Sequence, residues 1–188
     1  MRDKTEQIIH AALDVFLKRG YNQATTQEIA SEANVAEVTL FRKFTNKQNL
    51  FKTVIKSMIE KHFQNKLLAY GDTEDSRLFF ERILMDRLEM VSKNRKIVQR
   101  LIAESFMGNL DEEVNFPKII SASLRSAIDT HFSRKDQKVD VEQCTRLLAG
   151  ILLSHVFFED ENDFQAMSDE EKQRKVDQYV RSLMIFVE

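Results

Sequence analysis

The sequence contains few of the residues that interrupt helices. Among its 188 residues there are four glycines and one proline. Leu, Ile, Lys, Glu, Gln and Arg, which favour helices, are plentiful. Hydrophobic residues make up 43% of the chain, which is enough to form a core at this length. The composition therefore predicts an all-α protein and argues against disorder.

Cysteine is nearly absent as well. The single Cys144 excludes an intramolecular disulfide and a zinc finger, and we interpret it as a small buried hydrophobe rather than a nucleophile. No apolar run reaches the roughly 20 residues that span a bilayer. The opening residues MRDKTEQ also lack the apolar core of a signal peptide. We therefore expect a soluble, cytoplasmic protein that does not act at a membrane.

Signatures of catalysis and cofactor binding are missing too. The chain has no HExxH, no glycine-rich phosphate loop and no G-x-S-x-G. The acidic stretch at residues 159–165 lacks the spacing of a calcium loop and is interpreted as a solvated loop. We therefore expect neither an enzyme nor a bound metal or cofactor.

The charge balance differs between the two parts of the chain. The formal net charge is −2 and the isoelectric point is about 6.1, which by themselves argue against a nucleic-acid partner. Residues 1–56, however, carry nine Lys or Arg against six Asp or Glu, a net +3, whereas residues 57–188 carry a net −5. A local excess of this size permits a DNA-binding N-terminal part without proving one.

Apolar residues recur at helical spacing along the whole chain. Several helix ends are marked by residues that favour caps or stops. Gly20 should end the first helix, and Thr25 with Glu28 should open the second through a capping box. Asn46 should cap a long helix, and Ser168 with Glu171 should open the last one. The predicted helices cover residues 3–19, two short segments between Thr25 and Phe44, residues 47–70, 76–91 and 97–107, a segment after Pro117, residues 147–158, and a last segment that starts at Ser168 and includes Val187.

Residues 25–50, TTQEIASEANVAEVTLFRKFTNKQNL, read as a helix-turn-helix. Asn34 stands where the chain must turn sharply, and Asn tolerates the left-handed conformation better than other non-glycine residues. Val35, Leu40 and Phe44 should then point inward. In such a motif the second helix enters the major groove of DNA. The candidate DNA-contacting residues are Thr25, Thr26, Gln27, Ala36, Glu37, Val38, Thr39, Phe41, Arg42, Lys43 and Lys47.

Particular chemistry is expected from some of these side chains. Arg42 and Lys43 can reach phosphates or guanine edges, and Thr39 can donate to a phosphate. The methyl groups of Ala36 and Val38 can touch thymine methyls. Lys47 stands at a helix start, where the helix dipole does not favour a cation, and is interpreted as a phosphate contact rather than a stabilising residue.

Residues 3–56 resemble the N-terminal domain of the tetracycline-repressor (TetR) family of bacterial regulators. The similarity rests on TTQEIA, on the turn, on TLFRKF and on NKQNL at the start of the fourth helix. The sequence departs from the family pattern at four positions. Asn34 stands in place of a turn glycine, and Ala36 in place of a Ser or Thr cap. Val38 stands in place of a small residue, and Phe41 in place of a tyrosine. The base contacts typical of the family therefore cannot be assigned to this chain.

The resemblance implies a DNA-binding domain at residues 1–46 and a helical effector-binding and dimerisation domain at residues 47–188. It also implies a homodimer built from the last two long helices and repression relieved by a ligand. Residues of these types are more often ordinary core residues, but some could line a pocket for an apolar effector. The candidate ligand contacts are Met58, His62, Phe79, Phe80, Phe106, Met107 and His155.

The dimer is also expected from the residues themselves. Residues 147–158 are apolar on nearly every face, which in a soluble helix indicates burial on more than one side. Gly150 would let two helices approach closely. The candidate interface residues are Leu148, Ile151, Leu152, His155, Tyr179, Val180, Leu183 and Val187.

Two functions follow. The main hypothesis is a repressor whose homodimer binds a palindromic operator in double-stranded DNA and is released by a small apolar effector of unknown identity. The alternative is a small-molecule binding or interaction protein whose DNA head has lost specific recognition through Ala36 and Val38.

Overall fold

The computed structural model describes residues 4–59, 70, 72–108, 115–158 and 163–188. In these ranges the secondary structure is helical, without a β-strand, which confirms the all-α prediction. The nine α-helices of the described ranges are α1 (Thr5–Gln23), α2 (Thr26–Glu32), α3 (Glu37–Phe44), α4 (Lys47–Ile59), α5 (Ser76–Lys93), α6 (Arg95–Phe106), α7 (Phe116–Phe132), α8 (Val141–Phe157) and α9 (Asp169–Met184).

The chain divides into two compact units. The N-terminal unit comprises residues 1–61 and 100–115, and the C-terminal unit comprises residues 62–99 and 116–188. Helix α4 and the second half of α6 therefore group with the N-terminal helices. The functional boundary expected after residue 46 stays a prediction.

The core of the N-terminal unit lies between α1 and its neighbours. Ile8, Ala12 and Phe16 form the buried stripe of α1. The ring of Phe16 packs edge-on against Phe51 of α4, with 4.7 Å between ring centroids. Gly20, predicted to end this helix, instead interrupts it with φ 78° and ψ 169°, and helical structure continues to Gln23.

The core of the C-terminal unit is formed by α5, α7, α8 and α9. It also contains polar groups that the hydrophobic pattern did not predict. The His131 ring stacks on Phe79 with 4.0 Å between centroids, and its Nε2 lies 3.1 Å from the Ser76 hydroxyl. Arg87 is buried beside the Asp86 carboxylate at 3.0 Å. Burial lowers the pKa of the Arg87 guanidinium, and the adjacent Asp86 opposes that shift.

Several predicted helix caps are confirmed, but α8 begins at Val141, six residues before the predicted Leu147, because Asp140 accepts from the Gln143 N–H at 3.0 Å and caps the helix there. Asn46 Oδ1 accepts from the Asn49 N–H at 2.8 Å, so Asn46 caps α4 as expected. Ser168 and Glu171 form the second capping box. The predicted extension of α4 through residues 60–69 and its end at Gly71 lie outside the described residues. No described helix is long and apolar enough to cross a membrane.

Candidate nucleic-acid interface

Helix α2 begins with the capping box that the sequence predicts. The Thr25 hydroxyl accepts from the Glu28 N–H at 3.1 Å, and a Glu28 carboxylate oxygen accepts from the Thr25 N–H at 3.2 Å. Both bonds satisfy donors that a helix start otherwise leaves without partners. Ile29 and Ala30 then turn inward and are buried. The residue at which α2 begins, and the side of α2 that faces the core, are therefore set by residues within the helix and its cap.

The turn between α2 and α3 is tight and left-handed. Asn34 has φ 48°, as expected for an asparagine in place of glycine. Its N–H donates to the Ser31 carbonyl at 3.0 Å, and the Val35 N–H donates to the Ala30 carbonyl at 2.9 Å. These bonds place the beginning of α3 directly after the turn. The prediction for Asn34 is confirmed.

Helix α3 has one buried face and one exposed face. Leu40 and Phe44 are buried against the rest of the N-terminal unit. The opposite face leaves Val38 72% exposed and Phe41 44% exposed. The remaining exposed residues at this helix are Ala36, Arg42 and Lys43, and Glu37 and Thr39 are partly exposed. The predicted contact residues of α3 thus lie at the surface.

Ala36 precedes α3 without a side-chain cap, as its lack of a hydroxyl requires. Thr26, the first residue of α2, donates its hydroxyl hydrogen to Oε1 of Glu37, the first residue of α3, at 2.6 Å. At the other end of α3, Lys43 Nζ donates to the Thr5 hydroxyl at 2.8 Å. Both ends of the helix are therefore tied to neighbouring elements by side chains.

Lys47 has a structural role that the sequence interpretation ranked second. Its ammonium donates to the carbonyls of Tyr21 and Ala24 at 2.9 and 3.1 Å, and lies 3.5 Å from that of Asn22. It also lies 4.6 Å from the centre of the Tyr21 ring. Lysine near a helix C-terminus satisfies carbonyls that lack helical partners. Lys47 therefore stabilises the end of α1, and its contact with a phosphate stays a prediction.

The same turn receives a contact from α6 that the sequence did not predict. The Tyr21 N–H donates to Glu104 Oε1 at 3.2 Å. Arg100, one turn earlier in α6, lies against Gly20 and has its Nε 3.8 Å from the Glu104 carboxylate. Partners 83 residues apart leave no local pattern to detect. The i, i+4 spacing of Arg100 and Glu104 in α6 was the available signal.

The candidate ligand residues fall in both units. Met58 is buried in α4, whereas Phe106 and Met107 are exposed at the end of α6. Phe79 and Phe80 are fully enclosed in the C-terminal core. His62 lies outside the described residues. The contact of these side chains with an effector stays a prediction.

The candidate dimer residues divide by burial. Leu148, Val180 and Leu183 are fully buried within the C-terminal unit, so they have no surface to offer a partner, which corrects that part of the expected interface. Ile151, Leu152 and His155 are nearly as buried, and the His155 Nε2 lies 3.0 Å from the Tyr179 hydroxyl. Tyr179 and Val187 are partly exposed.

A second apolar face of α8 was predicted, but two of its exposed residues, Leu153 and Phe157, were not among the predicted interface residues. Leu153 is 42% exposed and Phe157 is 53% exposed, and Gly150 is also at the surface. These residues lie three or four positions apart and therefore share one helix face. Because residues 147–158 are apolar all round, periodicity could not tell this outer face from the inner one.

The sequence matches known regulators. The family described as "Bacterial regulatory proteins, tetR family" matches residues 8–54. An uncharacterised HTH-type transcriptional regulator of Bacillus subtilis, YvkB, is 41% identical over 74 residues. Another B. subtilis regulator, YuxN, is 25% identical over 163 residues. The matches cover 39% and 85% of this chain, which spans 37% of the length of YvkB and 55% of that of YuxN.

One relative matches over nearly its whole length. The fatty acid metabolism regulator protein of B. subtilis is 39% identical, and the match covers 82% of this chain and 96% of the relative. The crystal structure of a Mesorhizobium loti protein assigned to the TetR family has a TM-score of 0.74 at 20% identity, covering 98% and 96% of the two chains. At that identity the structural likeness shows the fold alone. None of these matches supports the alternative of a binding protein without DNA recognition.

Proposed function

The chain belongs to the TetR family of bacterial regulatory proteins, and we propose that it is a cytoplasmic repressor that binds operator DNA as a homodimer. The observation that carries this proposal is the exposed face of α3 after a tight turn, with Arg42 and Lys43 in its last turn. Arginine and lysine bind phosphates and guanine edges. The role is that of a DNA-binding regulator and not of an enzyme.

The contact set of the proposed interface follows the two helices. Thr25, Thr26 and Gln27 at the start of α2 meet the phosphate backbone, since the first helix of such a motif crosses it. Helix α3 enters the major groove, where its first residues meet base edges. The contacts from α3 are Ala36, Glu37, Val38, Thr39, Phe41, Arg42 and Lys43. Phe41 contributes only apolar contact, because it has no hydroxyl to donate.

The proposal is tested with double-stranded DNA from the promoter region of the protein's own gene. Fluorescence anisotropy should detect sequence-preferring binding that weakens as salt rises, because bound phosphates release counterions. Arg42→Ala with Lys43→Ala should weaken binding by about tenfold or more per side chain. The charge-matched control is Lys18→Ala with Lys96→Ala, two exposed lysines outside the proposed interface. Equal binding by the two double variants would contradict the proposal.

We propose that the dimer uses the exposed face of α8. A soluble monomer rarely leaves large apolar side chains clustered at its surface, and Leu153 and Phe157 form such a cluster beside Gly150. Tyr179 and Val187, which are partly exposed, can join the same interface. A two-fold dimer would present two copies of α3 to a palindrome. The half-site centres would then lie roughly 34 to 36 Å apart, or a multiple of that distance.

The effector proposed here is a small molecule with an apolar chain of the fatty-acid type. The 39% identity to a fatty acid metabolism regulator supports this class. Binding in the C-terminal part would favour a conformation whose reading helices no longer fit the half-site spacing. Such coupling is typically about 1 to 3 kcal/mol, or a roughly 5- to 150-fold loss of affinity. Fatty acids and their thioesters, titrated into the protein–DNA complex, should release the DNA. DNA binding that none of them changes would overturn the effector class alone.

A further inference from the structure

The first residues of α2 and α3 are joined to each other. The Thr26 hydroxyl donates to Oε1 of Glu37 at 2.6 Å, in a partly buried position next to the exposed Val38 in the chain. A helix-turn-helix places the beginning of its second helix against base edges. A carboxylate therefore stands, already held by a hydrogen bond, at the base-contacting end of the proposed reading helix.

A carboxylate is an unusual group on a surface that meets phosphates. It repels the DNA backbone, so its presence reduces affinity unless a donor on the DNA offsets that repulsion. Its two oxygens offer about four acceptor sites. The bond from Thr26 occupies one of them and limits the rotation of the side chain. The remaining acceptor sites can take a hydrogen bond from DNA with little further ordering.

Only two bases present a donor in the major groove. Cytosine presents its N4 amino group, and adenine presents its N6 amino group next to the N7 acceptor. The N7 lone pair of adenine repels a carboxylate, whereas cytosine has only a C–H group beside its amino group. Guanine and thymine present acceptors, which a carboxylate cannot use. Glu37 is therefore matched to cytosine among the four bases.

We propose that Glu37 determines specificity by accepting a hydrogen bond from cytosine N4, and that Thr26 holds it in position. This inference rests on the proposed function, since it requires α3 to lie in the major groove. It predicts one C·G pair in each half-site at which replacement weakens binding. Val38, 72% exposed and next in the chain, should contact an adjacent base pair, where a thymine methyl suits its side chain.

The test is selection from a library of randomised double-stranded DNA by the full-length protein. The wild-type protein should enrich a two-fold symmetric sequence with one invariant C·G pair in each half. Glu37→Gln should shift that position from cytosine to adenine, because glutamine donates to N7 and accepts from N6 of adenine. On the two resulting operators, measured affinities should show a reversal of preference of about tenfold.

Two further variants separate base reading from general effects of charge and structure. Glu32→Gln removes the same charge from an exposed position in α2 and should select the wild-type sequence. Thr26→Val keeps the side-chain volume and removes the donor, so it should lower the preference for cytosine without creating one for adenine. Circular dichroism and thermal unfolding of each variant confirm that it is folded.

The outcomes are distinct. If Glu37→Gln binds and selects the same bases as the wild-type protein, the specificity role is overturned and the Thr26–Glu37 bond only fixes α2 against α3. A variant that relaxes no position but loses stability leads to the same conclusion. If the wild-type protein enriches no sequence while remaining folded, the proposed function itself fails, and this inference fails with it.

Discussion

The backbone N–H of Tyr21 donates a 3.2 Å hydrogen bond to Oε1 of Glu104, a carboxylate that is only 2% exposed. Burial raises the pKa of the Tyr21 phenol, and the negative charge of Glu104 raises it further. Arg100 lies 3.8 Å from the same carboxylate. One buried acidic group thus joins α6 to the turn that immediately precedes the helix-turn-helix.

Removing this carboxylate should destabilise the N-terminal unit. Glu104→Ala leaves the Tyr21 N–H without its acceptor and Arg100 without its anion, which should lower the free energy of unfolding by about 1 to 3 kcal/mol. Glu104→Gln keeps an acceptor and should cost less. Urea denaturation measures both, with Glu32→Ala, an exposed position, as control. A Glu104→Ala variant as stable as the wild-type protein would contradict this account.

Gly20 should not tolerate a side chain. Its φ of 78° is disfavoured for other residues, and a Cβ there would lie 2.4 Å from a terminal nitrogen of Arg100. Gly20→Ala should cost about 1 to 3 kcal/mol from backbone strain alone, because φ 78° with ψ 169° is a conformation that essentially only glycine adopts, with a further cost if Arg100 must move. Repeating the substitution in an Arg100→Ala background separates the two terms. An equal cost in both backgrounds would show that Arg100 moves aside freely.

Lys47 offers a direct comparison between a structural and a DNA-contacting cation. Lys47→Met removes the donor to the carbonyls at the end of α1, and should lower stability by about 1 to 3 kcal/mol. Because its ammonium is engaged there, the salt dependence of DNA binding should keep its wild-type slope. Arg42→Ala should instead reduce that slope by about one. Equal reductions by both variants would show that Lys47 also contacts a phosphate.

Signals that extend over a few residues were readable from the sequence. Asn34 predicted a left-handed turn, and Thr25 with Glu28 predicted a helix start. Both predictions were possible because the hydrogen bonds that form these features join residues close together in the chain. The left-handed Thr45, with φ 68°, was missed because threonine rarely adopts this conformation. The TetR resemblance, which rests on the same N-terminal stretch, supplied the fold.

Signals that depend on which elements meet were not readable. Leu148 and Leu153 lie in one apolar run, and only packing shows that the first is buried and the second exposed. The partners of Lys47 are backbone carbonyls, which no side-chain pattern reveals. Glu104 is similarly hidden, since its acceptor role depends on a turn 83 residues earlier. The sequence therefore located the proposed DNA-contacting residues, whereas the contacts that support the helix-turn-helix became visible only in the structure.

The exposed face of α8 should control association. Leu153→Glu with Phe157→Glu places two carboxylates in the proposed interface, where unpaired charges are costly to bury. The variant should therefore sediment as a monomer at concentrations where the wild-type protein is a dimer. The matched control is Leu78→Glu, since Leu78 is an exposed apolar residue of α5. Dimerisation that survives in the double variant would place the interface elsewhere.

Cys144 should be unreactive in the folded protein. Burial, aided by Asp140, raises the pKa of its thiol from 9.0 to about 11, and the sulfur lies 3.9 Å from the Leu183 carbonyl. Thiol reagents attack the thiolate, so labelling at pH 8 should be slow in buffer and fast in denaturant. Rapid labelling of the folded protein would show that the sulfur is accessible.

The same shift predicts a loss of stability at alkaline pH. Because the folded-state pKa of Cys144 is raised, the stability this group contributes is fully present below about pH 9 and is lost as the pH rises towards 11. Other groups titrate in this window, so the comparison is with Cys144→Ala, which retains them all. Between pH 8 and pH 11, the free energy of unfolding should fall more in the wild-type protein than in that variant. Parallel pH profiles would mean that the thiol titrates alike in the folded and unfolded chains.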